Sequence, residues 1–102
     1  MSDDFKIVDN YLLVKMPEEV DHYRADYIRK GADQFLLHKQ VEDIVFDFAG
    51  TKFMDSSGVG LIAGRYKKIA CIGGRVSAVH ANERIKKMLL FSGLHRIIEI
   101  VD

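Results

Sequence analysis

Residues 44–60 read Ile44-Val45-Phe46-Asp47-Phe48-Ala49-Gly50-Thr51-Lys52-Phe53-Met54-Asp55-Ser56-Ser57-Gly58-Val59-Gly60, and this stretch decides the fold. Its beginning, as part of Asp43 to Phe48, is nearly continuously apolar, the pattern of a central strand covered on both faces. A loop over Ala49 to Asp55 leads to a segment in which Val59, Ile62, Ala63, Tyr66, Ile69 and Ala70 recur at helical steps. Arg65, Lys67 and Lys68 are expected on the other faces and toward the C-terminus, where cations suit the helix dipole. A strand, a turn and a helix therefore follow one another, with serines at the helix start. The first N–H groups of a helix have no internal partner and carry partial positive charge, so a small polar residue there caps the helix or holds an added phosphate.

The flanking segments extend this pattern in both directions. Phe5 to Val8 and Tyr11 to Met16 are rich in β-branched and aromatic residues, and Asp9-Asn10 between them suits a tight hairpin. Pro17 cannot donate to a sheet ladder, so the second strand is expected to stop near Met16, with a loop leading to Asp21. From Asp21 to about His38, Ala25, Ile28, Ala32, Phe35 and Leu36 lie on one helical face, with Gly31 weakening the helix without ending it. Beyond the second helix, Gly73-Gly74 turns the chain and Arg75 to Val79 reads as a strand. Asn82 reads as an N-cap, Ile85, Met88 and Leu89 as the buried side of a third helix, and Gly93 as its stop. Ile97 to Val101 supplies a last strand. The predicted fold is an α/β domain spanning 1–102: an N-terminal β-hairpin joined to a mostly parallel mixed sheet, with helices packed on it.

Composition narrows the function. The 102 residues suit one core. Fifteen basic and fifteen acidic residues cancel without long blocks of either sign, so nothing favours nucleic acid or an acidic membrane, and partners are expected to be recognised by shape. Cys71 is the sole cysteine; it reads as a small core residue, and without zinc-type spacing it points to a reducing compartment and to no metal site. The acidic start Met1 to Asp4 is not followed by a signal-length apolar run, and no stretch is long enough to span a bilayer; a soluble, cytoplasmic protein is expected.

The serine-bearing turn supports several chemistries on spacing alone. Gly-x-Ser-x-Gly fails at both Ser56 and Ser57, where Met54 and Asp55 replace the first glycine, and none of His22, His38, His80 and His95 has the context of a catalytic base. Neither a Gly-x-x-x-x-Gly-Lys loop nor a Gly-x-Gly-x-x-Gly helix start is present, which argues against nucleotide hydrolysis. Asp47 or Asp55 near a strand end is placed for aspartyl phosphorylation, but the acidic pair that would hold magnesium is missing after the first strand. Arg84, Lys86 and Lys87 read as the solvated side of the third helix rather than a nucleic-acid patch. A capping role for Asp55 or Ser56, contributing about 1 kcal/mol, remains open beside a switching role, as does a packing role for Gly58 and Gly60. The other reading of these glycines is that they let a partner backbone or a phosphate approach the first turn closely.

The segment Phe53-Met54-Asp55-Ser56-Ser57-Gly58-Val59-Gly60, followed by Gly64-Arg65-Tyr66-Lys67-Lys68-Ile69, resembles the phosphorylation segment of the STAS family, specifically the bacterial anti-sigma factor antagonists. The resemblance implies a protein that is not an enzyme and needs no cofactor. It implies that the unphosphorylated form binds an anti-sigma factor serine kinase and so releases a sigma factor, which is only an indirect partner. The serine after the aspartate, Ser56, would accept the phosphate and end the interaction, and a serine phosphatase would restore it. Asp55, Ser57, Gly58, Val59 and Gly60 would form the partner surface around it. Glu18-Glu19-Val20-Asp21, followed by His22, is similar to the family's Gly-Glu-Leu-Asp turn, with Glu18 in place of the glycine, and adds Asp21 and His22 to that surface. Asp21 also reads as a helix N-cap. Many members carry a further C-terminal helix, whereas this sequence reaches only Asp102. The alternative within the family is a non-switching interaction subunit of a transport system or a stress-sensing assembly.

Overall fold

The computed structural model describes residues 2–38 and 41–102; Met1, part of the acidic start, lies outside them. The hairpin forms as expected. Strand β1 (Phe5–Val8) pairs antiparallel with β2 (Tyr11–Lys15), Val8 facing Tyr11 across a turn in which Asp9 takes a φ of 52°, a left-handed conformation that aspartate tolerates. Two residues, β3 (Glu19–Val20), then precede helix α1 (His22–His38), and β4 (Asp43–Asp47) follows it. The short β5 (Phe53–Met54) leads into α2 (Ser56–Ala70), after which come β6 (Val76–Val79), α3 (Glu83–Phe91) and β7 (Glu99–Val101).

The main sheet runs β1-β2-β4-β6-β7, parallel in every pair except the edge hairpin. Parallel neighbours need a crossover, and each helix supplies one: α1 between β2 and β4, α2 between β4 and β6, α3 between β6 and β7. Leu12, Val14, Ile44, Phe46, Val76 and Ala78 point to one face and are fully buried against Ile28, Ala32, Ile62, Ile69, Ile85 and Leu89 of the helices. β4 is central, but it is covered on one face rather than both. Val45, with its sheet neighbours Leu13 and Ser77, remains half-exposed on the opposite face. The apolar run in β4 is thus an ordinary alternation hidden by a valine on the open side.

Close packing explains two glycines that weaken local propensity. A side chain at Gly31 would collide with the Phe5 ring, which stacks on Phe35 with centroids 5.6 Å apart, so the gap in α1 seats the first strand. A side chain at Gly74 would collide with the backbone carbonyl of Glu42, and Gly73 beside it has a φ of 80°. The predicted caps of α3 hold: Ile85 N–H donates to Asn82 Oδ1 at 2.8 Å, and Gly93 turns left-handed just past the helix. The last strand is shorter than expected, because a 3₁₀ turn (Leu94–Arg96) occupies the approach to it.

Two side-chain assignments change as well. Cys71 is exposed rather than a core residue; α2 ends at Ala70, and the turn carries the thiol outward, where its Sγ donates to the Lys67 carbonyl at 3.3 Å. Arg65, expected on a solvated face, is buried in the α1–α2 seam together with Leu61. Hydropathy assigns arginine to solvent, but Asp33 on α1 supplies a counter-charge with its Oδ1 3.0 Å from Arg65 Nε.

Candidate functional site

The loop expected between Ala49 and Asp55, and the one expected before Asp21, meet. β3 and β5 form a separate two-stranded parallel sheet in which Glu19 faces Phe53 and Val20 faces Met54. Asp55 N–H donates to the Val20 carbonyl at 2.9 Å, and Lys52 N–H to the Glu18 carbonyl at 2.7 Å. Because the two strands are in register and each leads directly into a helix, α1 and α2 start side by side. Each start is capped by an aspartate: Asp21 Oδ1 accepts from Arg24 N–H, and Asp55 Oδ1 from Ser57 N–H, both at 2.8 Å. The Arg24 N–H bond, its guanidinium at 2.9 Å and its charge hold the Asp21 carboxyl below the usual carboxylate range.

Ser56 is the first residue of α2 and is exposed. Asp55 performs the capping, which leaves the Ser56 hydroxyl uncommitted to that role. Ser57 is half-buried and, with His22, Gly60 and Arg65, faces a groove between the helices. Val59 packs partly against the core. The two glycines of the first turn have different roles. Gly60 has no neighbouring atom within 4 Å of where a side chain would begin, so its surface is open to approach. Gly58 is buried, and a side chain there would collide with the Met54 thioether; its absence lets the strand–turn–helix close from beneath.

Two side chains tie this neighbourhood together through contacts that the sequence did not announce. Thr51 is buried and donates its hydroxyl to the Pro17 carbonyl at 2.8 Å, joining the two loops. Asn82, besides capping α3, donates its amide to the Lys52 carbonyl at 3.0 Å and the Thr51 carbonyl at 3.3 Å. A lone asparagine before a helix announces its capping but not its reach to a loop thirty residues away. Among the described residues, no group of three or more His, Cys, Asp or Glu side chains is placed to hold a metal ion, and no helix is long and apolar enough to cross a membrane.

Fold and site together define a small α/β domain that presents a serine hydroxyl where two capped helices begin side by side. The chain belongs to the STAS domain family, which it matches over residues 4–102. It is 38% identical over 91 residues to the anti-sigma F factor antagonist of Paenibacillus polymyxa, covering 89% of this chain and 78% of that protein. The unphosphorylated form of the anti-sigma factor antagonist SpoIIAA has a similar structure, with a TM-score of 0.85 and 27% identity over 96% of this chain and 86% of that one. The phosphorylated form of the Bacillus cell fate determinant SpoIIAA is similar with a TM-score of 0.77, again at 27% identity, covering 96% of this chain and 89% of that one.

Proposed function

We propose that this chain is an anti-sigma factor antagonist switched by phosphorylation of Ser56. Unmodified, it docks through the adjoining starts of α1 and α2 on an anti-sigma factor that is also a serine kinase, and the sigma factor is released. The kinase then modifies Ser56, the complex separates, and a serine phosphatase resets the switch. The chain is a substrate rather than a catalyst, and ATP belongs to its partner. The observation that carries this reading is an exposed serine at the first position of α2, beside a second helix start and relieved of capping by Asp55.

The physics of the switch is local. A phosphate at Ser56 adds roughly −1.5 to −2 charges and three acceptor oxygens at neutral pH. Packed under a partner, it would lose hydration and repel Asp55 and any acidic partner group; in the free protein it stays in water, which screens that repulsion. Asp21, His22, Ser57, Val59 and Gly60 form the surrounding contact surface, while Gly58 supports it from inside.

The test uses the candidate anti-sigma kinase, ATP and intact-mass spectrometry. Wild type should gain one phosphate and Ser56→Ala none, while Ser56→Ala still binds the kinase. Ser56→Asp should bind more weakly with an unchanged circular dichroism spectrum. Equal affinity for wild type and Ser56→Asp would overturn the electrostatic switch, and stable binding without phosphate transfer would assign the chain to a non-switching interaction role.

A further inference from the structure

The groove between α1 and α2 has a volume of about 200 Å³ and is lined by His22, Ala25, Asp26 and Arg29 from one helix and Ser57, Gly60, Leu61 and Arg65 from the other. These residues recur every three or four positions, so both helices turn one stripe toward it. The stripe carries two guanidinium groups. Arg65 is the unusual one: only 6% of its side-chain surface is exposed, and its Nη1 has no hydrogen-bond partner among the described residues. Its Nε lies 3.0 Å from Asp33 Oδ1, yet the alignment is not that of a hydrogen bond. Asp33 also faces Lys68 Nζ at 3.5 Å, so a single carboxylate serves two cations.

Arg29, on the more exposed side of the groove, donates from Nη2 to Asp26 Oδ1 at 2.6 Å, and Lys30 Nζ approaches Asp26 Oδ2 at 3.1 Å. The two acids on these facing stripes, Asp26 and Asp33, are thus shared among four cations: Arg29, Lys30, Arg65 and Lys68. Burial and the nearby Arg29 charge both disfavour the charged form of Arg65, partly offset by Asp33. A buried cation with an unmade hydrogen bond, beside a second cation, is an arrangement an anion would relieve.

We infer that the α1–α2 groove is a binding site for a phosphoryl oxyanion, held by Arg65 and Arg29 beside Ser57. Guanidinium forks match tetrahedral oxyanions, whose several acceptors can serve both arginines at once, whereas a halide has no such directional acceptors. The missing side chain at Gly60 leaves the wall of the groove open. Two sources carry this chemistry: free phosphate from solution, and the phosphate of the chain's own modified Ser56. Only the second source rests on the proposed function.

The experiment is a titration of the unmodified protein with inorganic phosphate at constant ionic strength, sodium chloride making up the balance, followed by amide and arginine Nε resonances. Saturable shifts are expected at Ser57, Gly60, Leu61 and Arg65. Arg29→Gln, at an exposed position that should not disturb folding, is expected to bind phosphate about tenfold more weakly, the loss of one charge-assisted hydrogen bond. Arg65→Lys tests the buried fork in the same way. Absence of saturation in wild type, or equal affinity in wild type and Arg29→Gln, would overturn the site. Repeating the titration on protein phosphorylated at Ser56 separates the sources: loss of phosphate binding places the phosphoserine in its own groove, and retained binding assigns the groove to an external phosphate. If Ser56 accepts no phosphate, the first titration still decides whether the site exists.

Discussion

At the scale of single residues, the chemistry near Ser56 depends on side chains that are missing or hidden. Gly58 lies over Met54 and Val20, so Gly58→Ala must push a flexible thioether aside; we expect a loss of about 1–3 kcal/mol in urea unfolding, without loss of the fold. Asp33 is the principal counter-charge of a buried arginine, and its removal strands that charge. Asp33→Ala is expected to cost about 3 kcal/mol, the low end for a broken buried pair because Asp33 is itself partly exposed. Asp26→Ala, which also removes an ion pair with an arginine but at the surface, should leave unfolding midpoints nearly unchanged. A comparable loss in both variants would show that burial of Arg65 is not what distinguishes them.

At the scale of elements, the site exists because short segments are tied together across long sequence separations. β3 and β5 contribute only two residues each, too few to pair stably alone, yet they set the register that brings the starts of α1 and α2 together. Thr51 and Asn82 hold that small sheet from the side, the first through the Pro17 carbonyl and the second through the carbonyls of residues 51 and 52. Asn82→Ala therefore removes a cap and a loop tether together. The expected loss is about 2 kcal/mol, with hydrogen exchange accelerated both at the start of α3 and in the 50–54 loop. Acceleration confined to α3 would reduce Asn82 to an ordinary cap.

At the scale of the whole molecule, Asp47 joins the centre of the sheet to both sides. It pairs in register with Lys15 of β2 and Val79 of β6, and its Oδ1 accepts from Ala49 N–H at 3.0 Å and meets His80 Nδ1 at 2.9 Å. His80 is held in a left-handed conformation, with a φ of 61°, beside this carboxylate. Burial pushes the Asp47 carboxyl up, but the His80 and Ala49 hydrogen bonds and the His80 and Lys15 charges outweigh it, so its pKa is lowered. Asp26 is lowered chiefly by Arg29 and Lys30, and Asp21 chiefly by the Arg24 N–H, but both lie at the surface, where solvent screening leaves them little weight in stability. A carboxylate whose folded pKa lies below its unfolded value, about 3.9, stabilises the fold above that value and loses this contribution as pH falls through the folded pKa. Stability should therefore fall with acid below about pH 4, and Asp47→Asn should flatten that limb in thermal unfolding scans while lowering the plateau near neutrality. An unchanged acid limb in Asp47→Asn would remove Asp47 from this account.

Periodicity and capping chemistry were enough to determine the hairpin, the three helices, the succession of the main strands along the chain and the serine at the start of α2, because each rests on residues close in sequence. Asp55 before Ser56, Asn82 before α3 and Gly93 after it declare themselves through short-range hydrogen bonds and backbone conformation. What only the tertiary structure decided are the features made by distant segments. The pairing of β3 with β5 placed Asp21 beside Asp55, one-sided packing left half of β4 open, and Asp33 across the helix seam drew Arg65 inside. Hydropathy along a chain counts each residue against water, and it cannot see a counter-charge or a covering helix until folding brings one near.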